Sequence, residues 1–355
     1  MRYELDDLPL KTLVLPVCEA TAALVRLDER ISASSLGAGL VARLHFADAV
    51  ASLWVDGELV HMEDLVLHDA AMGVRAPSHE LTIAHDVLRT RRRILSRPHD
   101  WALSDAGLRV LRGGTEDDGS APETKSAAPS LASDDPDDVL DAPMAEIDAL
   151  LARSQALLSG TPSRRTAPLP SPALPNSVGQ ERWRGLLLSS IELPPVLRAA
   201  VLIDAWQQWE VDRTASWLGR LLGAALLREA GLTTSHLAPV NVGLKAVRHE
   251  RRRSQDRTTR LLALLDGFRL GAEAGLKDHD RLTLARQQME RQLVGRRSTS
   301  RLPELIDLVL SRPMVSATMI SETLGVTPQG ALKMAGDLRL RELTGRGRFR
   351  AWGVL

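Results

Sequence analysis

Cysteine is almost missing from this chain. Cys18 stands alone among 355 residues, which excludes an internal disulfide framework and fits a reducing compartment. Aromatic residues are nearly as scarce, at 3% of the sequence. Ala, Leu and Arg abound instead, so there is little material for a large sheet and much for helix. The expected class is mostly α, with cores of interlocked aliphatic side chains. Net charge is missing as well, since 45 Lys and Arg offset 45 Asp and Glu. No global field therefore draws the chain to nucleic acid or membrane, and any such affinity must be local. No uninterrupted apolar run reaches the roughly 20 residues that cross a bilayer. The start, "MRYELDDLPL", is acidic and proline-broken, unlike a signal peptide. The expectation is a soluble cytoplasmic protein with no membrane partner. G-x-G-x-x-G, Walker and HExxH patterns are absent too. Six of nine histidines lie between His45 and His99 without zinc spacing, and they read as core or solvated side chains. No metal or cofactor is expected.

What is present is helical periodicity broken by two polar linkers. Residues 19–112 repeat apolar positions three and four apart, as in "SSLGAGLVARLHFADAVASLWV" and "SHELTIAHDVLRTRRRIL". Residues 113–143 are rich in Gly, Ser, Pro and Asp and read as a disordered acidic linker. A short amphipathic helix is expected at 144–158, then a Pro/Ser linker to residue 177. Helical pattern resumes over 178–298, and the last unit, 299–355, differs in kind. Two basic runs, 89–97 and 248–260, read as solvated faces, with an auxiliary phosphate-contacting strip as the alternative. On one continuous helix the second run would set Arg248, Arg252 and Arg260 near one face.

The terminal unit is legible through its punctuation. Pro303 opens a first helix and Pro313 closes it. Ser316 caps a second, "ATMISETL", and Gly325 supplies a tight turn. Thr327-Pro328 then starts a third helix with a hydroxyl cap and proline at the first helical position. Ala331, Met334, Ala335 and Leu338 share one face of it; Gln329, Gly330 and Lys333 share the other. This is helix-turn-helix order, with the third helix as reader. "LTGRGRFRAWGV" follows like a hairpin with Arg346, Arg348 and Arg350 on one side, the wing of a winged helix. DNA is the expected partner, contacted by Thr327, Gln329, Gly330, Lys333, Arg346, Arg348 and Arg350. A helical docking module with solvated arginines is the plainer alternative.

Between residues 20 and 260 the chain resembles the Fic-domain family, whose loop reads HPFxxGNGRxxR. Residues 209–220 read WEVDRTASWLGR. Trp209 stands at the general-base histidine, Arg213 at the acidic metal-binding position and Ala215 at the asparagine. Thr214 and Ser216 replace both glycines, Trp217 replaces the first arginine, and only Arg220 matches. Tryptophan carries no titrating nitrogen to serve as base. Without glycine the loop loses the positive-φ freedom that converges N–H groups on phosphate. The resemblance therefore implies an empty catalytic site. It also implies that Asp56, in Ser52-x-x-x-Asp56-Gly57, pairs with Arg220, as an inhibitory glutamate does in that family. Trp206, Trp209 and Trp217 are expected to fill the former nucleotide cavity. The chain further resembles an uncharacterised bacterial family that joins a domain of unknown function to a terminal helix-turn-helix. The expected function is a non-enzymatic, DNA-binding transcriptional regulator with a Fic-like pseudoenzyme body, and a homodimer is a candidate assembly. A nucleotide-transferring enzyme with a rearranged loop, or a module regulating a partner protein, are the alternatives.

Overall fold

The structure is a computed structural model that describes residues 5, 7–72, 76–113, 177–293, 301–343 and 350–354. The expected acidic linker (apart from Gly113), the 144–158 helix and Arg346 and Arg348 lie outside the described residues.

Among the described residues there are fourteen α-helices, one short 3-10 turn and three strands of two or three residues. The protein is mostly α, with a helix-turn-helix-like carboxy-terminal region. Helix α1 (Leu10–Ala33) buries Leu13, Val17, Ala20, Leu24, Leu27 and Ile31, the three-and-four spacing of one face. Helix α2 (Gly37–Asp56) is apolar nearly all round and buries three polar groups, His45, Asp48 and Ser52. By length and composition alone it is apolar enough to cross a membrane, though 56% of its apolar window is buried within the protein. It is the axis of the body, flanked by α1 and, further along, α3 (Met62–Asp69) and α4 (His79–Ser96). Ser78 and Ser104 start α4 and α5 (Asp105–Leu111) by accepting from the N–H three residues on.

After the linker come α6 (Ser177–Ser189), α7 (Pro195–Gln208), α8 (Ser216–Glu229), α9 (Val240–Ala246), α10 (His249–Arg252) and the 35-residue α11 (Arg257–Arg291). Helix α9 lies almost on the backbone of α11. A Cβ at Gly243 would fall 1.8 Å from the Gly267 carbonyl oxygen, so only glycine fits there.

Two readings of the basic runs are corrected. Residues 248–260 are not one helix: α10 ends at Arg252 and Asp256 caps α11 by accepting from Thr259 N–H. Arg252 stacks on Trp54 at 5.2 Å, and buried Arg260 pairs with Asp204. Likewise, in the run 89–97, Arg91 is fully buried against Asp48 and Arg92 forks onto both oxygens of Asp69. Each run therefore mixes structural ion pairs with solvated arginines: Arg89, Arg93 and Arg97 in the first and Arg248 and Arg253 in the second are exposed. Of the three tryptophans expected in the core, Trp206 is buried, while Trp209 and Trp217 are half-buried; Trp183 and, in the terminal module, Trp352 are buried as well.

The terminal module is built from α12 (Leu302–Ser311), β1 (Val315–Ser316), α13 (Ala317–Leu324), α14 (Pro328–Asp337), β2 (Arg341–Glu342) and β3 (Ala351–Gly353). The strands form an antiparallel sheet in the order β1-β3-β2, with Val315 and Glu342 both opposite Trp352. Arg43 on α2 ties this module to the body. Its Nε and Nη2 donate to the carbonyls of Leu310 (3.1 Å) and Val309 (2.8 Å), and its Nη1 to that of Val354 (3.3 Å). A cation thus satisfies carbonyls in the last turn of α12, where the helix dipole favours it. Burial pulls its pKa down to about 10, against the opposing pull of Asp278.

Candidate nucleic-acid interface and the buried arginine network

The turn between α13 and α14 is set by local hydrogen bonds. Ser316 Oγ accepts from Met319 N–H, and Gly325 ends α13 at φ +59°. Thr327 Oγ1 then accepts from Gly330 N–H at 3.1 Å with Pro328 at the first helical position. Ala331, Ala335 and Leu338 pack inward while Gln329 and Lys333 stand exposed on α14, as the spacing predicts. Gly330 is half-buried, and its N–H is committed to the cap. Leu332, which the sequence reading omitted, is 39% exposed beside Lys333. An apolar side chain among polar ones is of the kind that meets a thymine methyl where a helix enters the major groove. The helix closes with Arg339 at φ +48°, its N–H on Gly336 O and Leu340 N–H on Ala335 O. That is a Schellman closure formed without glycine.

Arg350 is exposed at the start of β3. Its guanidinium donates twice to Glu342 Oε2, at 2.9 and 2.7 Å, and lies 5.5 Å over the Trp352 ring. Glu342 holds its pKa above the ordinary value. Arg350, expected as a DNA contact, pairs with Glu342 across the sheet and keeps its side chain 48% exposed.

Within the body, Asp56 and Arg220 meet across 164 residues. Arg220 Nη1 donates to Asp56 Oδ1 at 2.9 Å and Nη2 to Oδ2 at 2.7 Å. Ser52 Oγ accepts from Nη2 at 3.1 Å, and Asn241 Oδ1 accepts from Nε at 2.6 Å. Ser216 Oγ donates to Asp56 Oδ2 at 3.1 Å. Through Asn241 the network continues inward. Asn241 N–H and Nδ2, with Val242 N–H, donate to the fully buried Asp48, which also holds Arg91. Asp48 thus sits at the amino end of α9, where N–H groups favour a carboxylate. A second buried cluster was also missed: Asp28 accepts from Thr234 N–H and Oγ1, Ser235 N–H and His236 Nδ1. Burial pushes Asp28 up, yet those hydrogen bonds and His236 hold it below its ordinary value.

The loop before α8 is closed on itself. Asp212 Oδ1 accepts from Thr214 N–H, Thr214 Oγ1 and Ala215 N–H, at 3.0, 2.7 and 3.0 Å. Arg213 turns outward to Glu210. The loop N–H groups of Thr214 and Ala215 therefore point at the chain's own carboxylate. Arg220, Arg252 and Arg253, with Arg260 and Asp204, surround a cavity of only about 20 Å³, room for about one water.

Residues 178–294 match the family described as protein of unknown function (DUF1612), and residues 302–355 match the one described as HTH DNA binding domain. The uncharacterized protein y4cF of Sinorhizobium fredii (strain NBRC 101917 / NGR234) is 48% identical over 380 residues, covering 100% of this chain and 100% of the relative. At that identity over its full length, the chain belongs to the same family as this relative, a DUF1612 region followed by a helix-turn-helix DNA-binding domain.

Proposed function

We propose that the protein is a DNA-binding transcriptional regulator whose helical body performs no catalysis. The observation that carries the reading is the third helix of the terminal module, with Gln329, Leu332 and Lys333 exposed on a helix started by Thr327 and Pro328. Arg346 and Arg348 would add phosphate contacts beside it, and the site of action would be the cytoplasm. A homodimer would set two such helices about 34 Å apart for a palindromic site.

For the body, the Asp56–Arg220 contact supports the Fic-like resemblance, since that is the pair the resemblance implies. The self-capped loop supports a pseudoenzyme: two N–H groups a phosphate would need are taken by Asp212. With Trp209 at the base position, the histidine that would take a hydroxyl proton is missing. No transfer of AMP from labelled ATP with Mg²⁺ is expected, from the native chain or from Asp56→Gly; robust labelling would promote the enzyme reading.

The DNA reading is tested by site selection followed by salt titration. Gln329→Ala and Lys333→Ala are expected to change the preferred sequence, by about 1–3 kcal/mol per base contact. Arg348→Ala is expected to weaken all sequences alike and lower the salt slope by about one. A chain that selects no sequence and shows no salt-dependent binding would make the terminal module a protein-docking domain.

A further inference from the structure

Leu10, Val14 and Leu15 are 51%, 57% and 66% exposed, three large apolar side chains within six residues of α1. A single exposed leucine is ordinary, but a run of them on one helix marks a contact surface. The run continues along the helix. Lys11, Leu15, Cys18, Ala22, Val25 and Glu29 follow one another by alternating steps of four and three residues and so share one stripe. All are exposed except the half-buried Val25, and the face packed into the body, with Leu13, Val17, Ala20, Leu24 and Leu27, is the opposite one.

The charges at the two ends of the stripe run against the helix that carries them. Lys11 lies in the first turn of α1 and Glu29 just before the last, where the dipole favours the opposite signs. Neither has an ion-pair partner among the described residues, although neighbours on α1 do: Arg30 pairs with Asp280 at 3.0 Å, and Glu19 lies 3.9 Å from Arg269. A two-fold contact requires a self-complementary patch. A stripe with lysine at one end and glutamate at the other matches itself when turned end for end. A two-fold axis level with its midpoint sets Lys11 against the partner's Glu29, Cys18 against the partner's Ala22 and Val14 against the partner's Val25. The small residues then fall at the centre, where the side chains at the contact decide how closely two helices approach.

We propose that this face of α1 is the contact between two copies of the chain, packed as an antiparallel helix pair about a two-fold axis. The proposal deepens the homodimer reading and rests on it. Its test contains no DNA, so the reading helix stands or falls separately.

Sedimentation equilibrium of the full chain reads the association. The native chain is expected to be a dimer at micromolar concentration. Leu15→Glu is expected to weaken the dimer about tenfold or more, since two-fold symmetry buries the new charge twice. Leu188→Glu, at a leucine 74% exposed on α6, is expected to leave it intact. Lys11→Glu and Glu29→Lys each improve the match to the helix dipole, so neither should unfold α1. Each alone is expected to weaken the dimer several-fold, and the two together to restore it with the pair reversed. A short bismaleimide is expected to join two chains through Cys18, the one cysteine, and Cys18→Ser to abolish that product. A native chain that stays monomeric would overturn this surface together with the homodimer reading. A dimer of native affinity in Leu15→Glu, or a double charge reversal that restores nothing, would overturn this surface alone.

Discussion

Asp56→Ala is expected to destabilise the body more than Arg220→Met does, although both remove the same ion pair. The asymmetry follows from burial: the Arg220 side chain is 1% exposed and that of Asp56 21%. Removing Asp56 strands a buried guanidinium with two neutral side-chain partners, Ser52 and Asn241. An uncompensated buried charge costs about 3–5 kcal/mol, and water entering where the carboxylate was keeps the value near the low end. Removing Arg220 leaves a carboxylate that can hydrate and still holds Ser216. Methionine keeps most of the stem volume, so the main loss is the donor to buried Asn241, about 1–3 kcal/mol. The double variant should cost about 2 kcal/mol less than the sum, because the stranded charge is gone. Urea unfolding reads this directly. With a slope of about 3 kcal/mol/M, Asp56→Ala should lower the midpoint by about 1 M. A loss under about 1 kcal/mol is what an exposed pair gives; that result, or the reverse order of the two variants, would refute the reasoning.

Three further outcomes are expected. Burial, Arg91, Arg92 and His236 hold His45 well below its ordinary pKa, so it stays neutral when folded. The unfolded chain binds the proton first, and stability should fall by about 1.4 kcal/mol per pH unit below about pH 6.5; His45→Phe should remove that slope, and an unchanged pH profile would show that another group causes it. Arg43→Met strips the donors from Val309, Leu310 and Val354 carbonyls, so amide exchange should speed up across 301–354 without unfolding α1 to α11; unchanged exchange there would mean apolar packing alone holds the module. If Leu332 meets a thymine methyl, replacing that thymine with uracil should cost the native chain about 1 kcal/mol and Leu332→Ala nothing; equal losses in both would place the methyl elsewhere.

The terminal module was legible because its signals are local. Ser316, Gly325, Thr327 and Pro328 act through hydrogen bonds spanning three to five residues or through their own φ, so their order in sequence is their order in space. Leu332 escaped because it falls between the inward stripe of Ala331, Ala335 and Leu338 and the face of Gln329 and Lys333, and so was placed on neither. Arg339 escaped because nothing marks a non-glycine residue for the left-handed region. The break in 248–260 did carry a signal that the charge density obscured: Asp256, three residues before Thr259, is an ordinary helix start. The docking of the module by Arg43 joins residues more than 260 apart and left no trace in periodicity.

The buried charges were half legible, and the missing half is physical. Arg91 continues the stripe of Ala84, Val87 and Leu88 in α4, and Asp204 follows Ala200 and Val201 in α7. Arg260 begins the stripe of Leu261, Leu264 and Phe268 in α11. A charge at a stripe position must be buried, and a buried charge must be paired, so each such residue announces that a partner exists. It does not announce which one, because the partner is chosen by how helices cross. Asp48, Asp56 and Asp204 meet Arg91, Arg220 and Arg260 over separations of 43, 164 and 56 residues. Only Asp56–Arg220 could be named beforehand, through a resemblance that supplied the crossing. The other two pairs required the fold itself, and with Asn241 between them Asp48–Arg91 and Asp56–Arg220 form one network. Substitution at Asn241 should therefore disturb both pairs at once, which no reading of either stripe alone would suggest.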